Sequence, residues 1–209
     1  MTTTLILLRN GETSWNREER FLGRANIPLD DVGMAQAKTA ADYIAANWTP
    51  DAVYCSPLLR ARQTAKLIAE PFMLHDRAHP GLLDIDYGAW QGHTRDEVQA
   101  RWPQALESWY DRPHKAPIPG GESLQTVRLR AMGTMREVFD RHSDDNVVLV
   151  AHAAVIRLIL LGLLDSGNEH FWHVSQDICA INLIEHTGKH FKIIKMNATF
   201  HLSPSREAG

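Results

Sequence analysis

Polar side chains follow three short apolar runs of the sequence, at the point where each run ends. These polar positions are Arg9-Asn10, Ser56 leading to Arg60, and His152. In an open α/β sheet the carboxyl ends of the strands converge on one crevice, so we expect these side chains to share a ligand site. Two arginines there favour a phosphate ligand, because guanidinium groups pair bidentately with phosphate oxygens. The alternative is that both arginines are solvated or salt-bridged at the surface.

The elements that must position these residues alternate between strand and helix. Strands are predicted at Thr4–Leu8, Ala52–Cys55, Phe72–Leu74, Val147–Ala151, about 180–186 and about 191–196. Helices are predicted at about 34–48 with an aspartate cap, 58–70, 94–101, 104–110, from 120–121 to 142, and 154–164. This alternation predicts an α/β fold, a three-layer α/β/α sandwich with a mostly parallel central sheet. The helix after His152 would add backbone N–H donors to the site.

The chain of 209 residues is predicted to form a single domain, 1–209. Residues 82–119 are rich in Trp, Pro and Gly and contain only short helical pieces. We interpret this stretch as an insertion that covers one end of the sheet and the substrate.

Composition narrows the range of partners. The net charge of −3 gives no overall basic field, so neither nucleic acid nor an anionic membrane is expected as a partner. No apolar stretch approaches the ~20 residues of a membrane span, and the start of the chain lacks a signal-peptide pattern, so we expect a cytoplasmic protein. Cys55 and Cys179 fit no metal-ligand spacing, and neither a metal nor a cofactor is predicted. A small phosphorylated metabolite or inorganic phosphate fits the arginines, and a homodimer stays open.

Five ordered motifs, together with shorter matches between them, span residues 3 to about 201. They are Leu8-Arg9-Asn10-Gly11-Glu12-Thr13-Ser14-Trp15-Asn16, Phe21-Leu22-Gly23 with Pro28-Leu29 and Gly33-x-x-Gln36-Ala37, Ser56-Pro57-Leu58-x-Arg60-Ala61-x-Gln63-Thr64-Ala65, Gly120-Gly121-Glu122-Ser123, and His152-x-x-Val155-Ile156-Arg157. The sequence resembles the histidine phosphatase (phosphoglycerate mutase-like) superfamily. Within it, the sequence is similar to the short branch of broad-specificity phosphatases and metal-independent phosphoserine phosphatases.

The resemblance implies hydrolysis of phosphomonoesters in two steps through a phosphohistidine, with no metal. Carried over position by position, it makes Arg9, Arg60 and His152 ligands of the transferring phosphoryl group. Asn16, Gly23 and the backbone of Ala153 join them in substrate binding, and His201 is expected to help set the substrate.

The general acid of the family is a glutamate in a Leu-x-Glu-x-x-x-Gly context, which here becomes Leu82-Leu83-Asp84-Ile85-Asp86-Tyr87-Gly88. Asp84 stands at the position of the glutamate in this pattern and is favoured as the acid, and Asp86 is the rival. A third interpretation is that both aspartates only cap a turn.

Position 10 departs most from the family, because Asn10 stands where the resemblance places the nucleophilic histidine. The nitrogen of an amide has its lone pair delocalised into the carbonyl and is not a nucleophile. The chain as written is therefore expected to be inactive. An introduced substitution is favoured over a natural asparagine, because the rest of the phosphate-binding set is intact.

Other departures bear on the substrate. Phosphoserine-specific relatives carry glutamine where Leu22 stands and histidine where Tyr87 stands, which argues against phosphoserine. Two rivals stay open: a cofactor-dependent phosphoglycerate mutase, which would need a paired-arginine carboxylate site, and a natural phosphate-binding pseudoenzyme. Ser14, Ser56 and Cys55 lie in no nucleophile-elbow context.

Overall fold

A computed structural model describes residues 2–202 of the chain. The strands are β1 (Thr3–Arg9), β2 (Ala52–Cys55), β3 (Asp76–Ala78), β4 (Asn146–Ala151), β5 (Ile181–His186) and β6 (Phe191–Ala198). The helices are α1 (Ser14–Arg17), α2 (Asp31–Asn47), α3 (Leu59–Ala69), α4 (Arg95–Arg101), α5 (Pro103–Asp111), α6 (Leu124–Arg141) and α7 (Ala153–Leu163), with short 3₁₀ turns between them.

The strands form one sheet in the order β3-β2-β4-β1-β5-β6. The pairs β3–β2, β2–β4 and β4–β1 are parallel, whereas β5 and β6 add to the sheet antiparallel. Arg9 pairs with Ala151 at the end of the β1–β4 ladder. The residues that follow each strand, Asn10 and His152, therefore leave the sheet side by side.

Alternate side chains of β1 feed two separate cores, as the twofold period of a strand requires. Leu5 and Leu7 pack on the face covered by α6, α7 and residues 82–119, while Ile6 and Leu8 pack on the face covered by α2 and α3. Both faces of the sheet are buried by helices, which confirms the predicted three-layer sandwich.

Residues 82–119 lie on the first of these faces and share its core. Trp90 and Trp109 are fully buried there, with their ring centroids 6.4 Å apart in an edge-to-face arrangement. Of the helices in residues 2–202, none is both long and apolar enough to cross a membrane.

The predicted strand at Phe72–Leu74 is wrong. Pro71 lies in a 3₁₀ turn over Glu70–Phe72, and Met73 then takes a left-handed conformation with φ of 55°. Extended pairing with β2 starts only at Asp76. The apolar residues at 72–74 end a helix, and periodicity alone does not separate such a run from a short strand.

Helix α2 begins where the capping pattern predicts, since the Asp30 side chain accepts a hydrogen bond from the Gly33 N–H at 2.8 Å. Gly33 also packs directly on the loop after β1. A Cβ at Gly33 would stand 2.0 Å from the Glu12 carbonyl oxygen, and a Cβ at Gly11 would stand 2.5 Å from the Gly33 oxygen. This backbone-to-backbone contact fixes the loop that carries Asn10.

Gly33→Ala is expected to destabilise the protein, because neither of the two backbone segments can yield without moving the loop. The loss should be about 1–3 kcal/mol, as for other overpacked sites. Gly133→Ala is the matched control, because Gly133 lies inside α6 and a Cβ there meets nothing within 4 Å. That change should instead stabilise by about 0.5–1 kcal/mol. Urea denaturation of the two variants measures both effects, and a stable Gly33→Ala protein would contradict the contact.

Candidate active site

A pocket of about 150 Å³ opens at the carboxyl ends of β1, β2 and β4. Its lining contains most of the predicted site and several further residues. They are Arg9, Asn10, Asn16, Arg20, Phe21, Leu22, Arg60, Asp84, Tyr87, His152, Ala153, Ala154 and Arg157. The lining thus carries four arginines and one carboxylate.

Arg60 lies in the first turn of α3 and is almost completely buried. Its guanidinium donates to the carbonyl oxygens of Ala25 at 2.8 Å and Gly23 at 2.7 Å, and to Asp84 Oδ2 at 3.0 Å. Burial lowers the pKa of Arg60, and the nearby Asp84 carboxylate opposes that shift. The guanidinium is therefore fixed before any ligand binds.

Asp84 is the carboxylate that the structure places in the pocket. Its Oδ2 contacts Arg60 and lies 3.8 Å from His152 Nδ1, while its Oδ1 accepts from the Ile85 N–H at 2.9 Å. Burial raises the pKa of Asp84, although the charge of Arg60 partly offsets the effect. A carboxyl group with a raised pKa can hold a proton and give it to a leaving oxygen.

Asp86, the rival acid, does not line the pocket. Its Oδ1 accepts from the Gly88 N–H at 2.8 Å, and its Oδ2 lies 3.9 Å from Arg24. Asp86 thus closes a turn beside the site, and the geometry favours Asp84.

Both ends of the Asn10 amide are occupied. Its Nδ2 donates to the Gly11 carbonyl oxygen at 2.8 Å, which fixes the orientation of the amide because a carbonyl can only accept. Asn10 Oδ1 must then accept from His152 Nδ1 at 2.9 Å, so that ring nitrogen carries a proton. Burial lowers the pKa of His152 well below its usual value, and Arg60 and Arg9 lower it further. His152 is therefore a neutral hydrogen-bond donor.

Three more predicted residues line the pocket. Arg9 is anchored by the Gln176 carbonyl oxygen at 2.5 Å. Asn16 Oδ1 accepts from the Thr13 N–H at 3.0 Å and from the Thr13 hydroxyl at 2.9 Å, which leaves the Asn16 amide nitrogen for a ligand. Ala153 begins α7, so its N–H lies at the positive end of that helix.

Two predicted binding residues lie outside this lining. Gly23 acts on the pocket through its carbonyl oxygen, which holds Arg60, and its φ of 51° suits glycine. His201 stacks on Tyr43 of α2 with ring centroids 5.5 Å apart. His201 does not line the pocket, because the 3₁₀ turn over Phe200–Leu202 packs against α2.

No role was predicted for Arg20, Phe21 or Arg157, all of which line the pocket. Phe21 and Arg157 belong to two of the five family motifs, and this membership could have indicated that they lie near the site. Arg20 carries no such signal, and only folding brings it to the rim, where its guanidinium contacts Glu18 and the Gly92 carbonyl oxygen.

Arg130 of α6 and Glu122, a pair that we call the Arg130 brace, hold the loop that carries Asp84. Arg130 donates to the carbonyl oxygens of Gly81 at 3.0 Å and Asp84 at 2.9 Å, and also to that of Leu83. Glu122 pairs with Arg130 at 2.9 Å and accepts from the Asp86 N–H at 3.0 Å. One arginine and one glutamate thus fix the backbone on both sides of the candidate acid.

Comparison with known proteins identifies the family of this chain. Residues 5–199 match the model of the histidine phosphatase superfamily (branch 1). The chain belongs to this superfamily. Phosphoserine phosphatase 1 of Hydrogenobacter thermophilus is 34% identical over 198 residues, which cover 95% of this chain and 93% of that protein.

Solved structures agree with the family assignment. The structure of Bacillus stearothermophilus YhfR superposes with a TM-score of 0.92 at 28% identity, covering 96% of this histidine phosphatase and 100% of that chain. A histidine-to-alanine mutant of phosphoserine phosphatase from Entamoeba histolytica, in complex with phosphoserine, gives a TM-score of 0.85 at 28% identity and covers 96% and 100% of the two chains. Members of this superfamily are phosphoric monoester hydrolases, and this chain has their fold.

Arg60→Ala is expected to weaken the binding of phosphate or vanadate by about 2–4 kcal/mol, because it removes a desolvated charged partner. Arg62→Ala is the matched control: Arg62 lies on the same helix, is half-exposed and pairs with Asp76 at 2.9 Å outside the pocket. Calorimetric titration of both variants and the unchanged chain gives the comparison. Equal anion affinity in all three proteins would show that Arg60 does not bind the ligand.

Proposed function

We propose that this chain has the active-site scaffold of a metal-independent phosphomonoester hydrolase for small phosphorylated metabolites. We also propose that Asn10 prevents the chain from hydrolysing its substrate. The observation that carries the proposal is the position of Asn10. It stands among Arg9, Arg60 and His152, with both ends of its amide in hydrogen bonds and no nucleophilic atom.

In the first step, an imidazole at position 10 would attack phosphorus with its distal nitrogen. The bond from phosphorus to the ester oxygen breaks, and protonated Asp84 gives its proton to that leaving oxygen. Arg9 and Arg60 would hold the equatorial oxygens, where charge accumulates in the transition state, together with the Nδ1–H of His152, which is freed when the Asn10 Oδ1 acceptor is replaced.

In the second step, the Asp84 carboxylate would take a proton from water as that water attacks the phosphohistidine. Inorganic phosphate leaves, and the imidazole regains its lone pair. The arginines supply the positive charge that a divalent ion supplies in other phosphatases.

The arrangement of the insertion gives little support to the mutase alternative. Arg95 stacks over Tyr110 at 5.0 Å, and Arg101 contacts His93 at 2.6 Å. Neither these two nor Arg112 lines the pocket, so they form no paired-arginine site for a carboxylate there.

Asn10→His is expected to restore turnover that this chain lacks, because loss of a nucleophile costs roughly 10³–10⁶ in rate. The test compares hydrolysis of p-nitrophenyl phosphate by the two proteins, each with and without EDTA. Activity of the Asn10→His protein should survive the chelator. Equal turnover by both proteins would refute the proposal, and so would a requirement for an added divalent ion.

The Arg130 brace predicts a dependence on the leaving group. In the Asn10→His background, Arg130→Gln should misplace Asp84 and lower the hydrolysis of alkyl phosphates, whose leaving oxygen needs a proton. General acid catalysis contributes roughly 10²–10⁴ in rate, so a loss within this range is expected for alkyl substrates. The loss for p-nitrophenyl phosphate should be much smaller, because its leaving group is a weak base.

Arg128→Gln is the control for this comparison. Arg128 lies on the same helix and donates to the Ser166 carbonyl oxygen at 2.6 Å and to Asn168 at 3.0 Å, away from the acid loop. It should leave the ratio of the two substrates unchanged. If Arg130→Gln lowers both substrates equally, the brace acts on stability and not on the acid.

A further inference from the structure

The segment of residues 174–180 contains neither helix nor strand, yet its backbone contacts three residues that line the pocket. The three contacts are the Val174 carbonyl oxygen with Arg157 Nε at 2.7 Å, the Gln176 carbonyl oxygen with the Arg9 guanidinium at 2.5 Å, and the Cys179 N–H with the Asn10 carbonyl oxygen at 3.4 Å. The positions of these pocket residues therefore depend on what fixes an irregular segment.

Arg9 depends on this segment most directly. Within residues 2–202, its guanidinium donates to one protein acceptor, the carbonyl oxygen of Gln176. The Arg60 guanidinium, in contrast, donates to three acceptors outside this segment. A shift of the Gln176 carbonyl group would therefore move Arg9 and leave Arg60 in place.

A buried pair of side-chain amides ties the segment to the sheet. Gln176 Nε2 donates to Asn182 Oδ1 at 2.9 Å, and Asn182 Nδ2 donates to Gln176 Oε1 at 2.9 Å. Asn182 Nδ2 also donates to the Leu7 carbonyl oxygen at 3.1 Å, and its Oδ1 accepts from the Asn197 N–H at 2.9 Å. Because Leu7 lies two residues before Arg9 in β1, the pair joins Gln176 to the strand that carries Arg9.

This amide pair is polar where its neighbours are apolar. Gln176 is 3% exposed and Asn182 is fully buried, whereas the other buried residues of β5 are Ile181, Leu183 and Ile184. Burying an amide is costly unless its donors and acceptors are paired, and here each amide nitrogen and oxygen has a partner. A fully satisfied network fixes one arrangement, because a shift of either amide would leave a buried polar atom unpaired.

Asn197 holds the same segment from β6. Its Oδ1 accepts from the Asp177 N–H at 2.6 Å, and its Nδ2 donates to Asp177 Oδ2 at 2.8 Å. The Gln176 carbonyl and the Asp177 N–H belong to one planar peptide group, so the bond to Asn197 fixes the direction of the carbonyl that holds Arg9. We call Gln176, Asn182 and Asn197 the amide network.

We infer that the amide network is a positioning device that orients Arg9 for the phosphoryl group, through the carbonyl oxygen of Gln176. This inference rests on the proposed function, since it takes Arg9 as a ligand of that group. None of the three amide side chains lines the pocket. The network therefore sets the affinity of the pocket for an anion without touching the anion.

The experiment measures the affinity for inorganic phosphate by phosphorus-31 NMR titration of the chain with Asn10 in place. Gln176→Met keeps an unbranched side chain and removes the amide pair, while Asn182 keeps its bonds to Leu7 and Asn197. The affinity should fall about 3- to 30-fold, as expected for residues that act through a packed network. Asn197→Gly should lower the affinity in the same direction. Glycine permits the left-handed φ of 50° at this position, and the change removes only the side-chain contacts to Asp177.

A double-mutant cycle with Arg9 decides how the network acts. Arg9→Met should by itself lower the phosphate affinity by about 10-fold or more. Added to Arg9→Met, neither Gln176→Met nor Asn197→Gly should lower the affinity further, because the residue through which they act is gone. A further loss as large as that seen with Arg9 present would overturn the inference. Unchanged affinity in Gln176→Met and Asn197→Gly, or in Arg9→Met, would overturn it as well.

Thr3→Val is the matched control for stability. Thr3 is buried at the opposite end of β1 from Arg9, and its Oγ1 donates to the His142 carbonyl oxygen at 2.9 Å and accepts from the Asp144 N–H at 3.2 Å. Thr3→Val and Gln176→Met each remove two hydrogen bonds, so both should lower the melting temperature by a few degrees. Only Gln176→Met should lower the phosphate affinity. Equal losses of affinity in the two variants would show that affinity follows stability, which would overturn the inference.

The affinity measurement also separates this inference from the proposed function, because it needs neither a nucleophile nor turnover. A loss of affinity confined to chains that retain Arg9 supports the amide network even if Asn10→His fails to hydrolyse p-nitrophenyl phosphate. That failure would refute the proposed function alone.

Discussion

The pocket depends on the burial of guanidinium groups beside a single carboxylate. Taking a charge out of water is costly unless hydrogen bonds and an opposite charge compensate it. Arg60 has two backbone carbonyls and Asp84, while Arg9 has the Gln176 carbonyl. These partners hold the cations in place but leave the lining with an excess of positive charge. An incoming dianion relieves that excess, and the site is preorganised for a phosphate ester.

The same burial divides the roles of the two titratable groups that face the ligand. Desolvation disfavours the charged form of each, so it raises the pKa of Asp84 and lowers that of His152. Asp84 can serve as an acid only below its pKa, so the protonation step should weaken as pH rises through that raised value. His152 stays neutral at pH values above its depressed pKa, and in this chain its one N–H donates to Asn10 Oδ1. Opposite shifts in neighbouring groups are a recurrent basis for assigning acid and donor roles.

Much of this arrangement could be predicted from the sequence because it follows local rules. Apolar runs of strand length mark β1, β2 and β4. Arg9 and His152, directly after the runs of β1 and β4, line the pocket, whereas Ser56 after β2 does not and Arg60 in the following helix does. The predicted strand at 72–74 failed because tertiary pairing with β2, and not apolarity, decides where β3 lies. His201 could not be placed from sequence, since its position depends on how the last turn packs against α2. The place of Arg157 in the pocket lining depends on its contacts with Trp172 and Phe171, which come from another segment and meet Arg157 only in the folded chain.

We propose that the pocket of this histidine phosphatase is complete except for the nucleophile at position 10. Phosphorus-31 NMR of protein mixed with excess phosphomonoester tests it most directly. We expect a phosphohistidine resonance, stable to base and labile to acid, in the Asn10→His protein. The unchanged chain should show only the intact ester, shifted by binding. A phosphohistidine signal in the unchanged chain, or none in a catalytically active Asn10→His protein, would contradict the account.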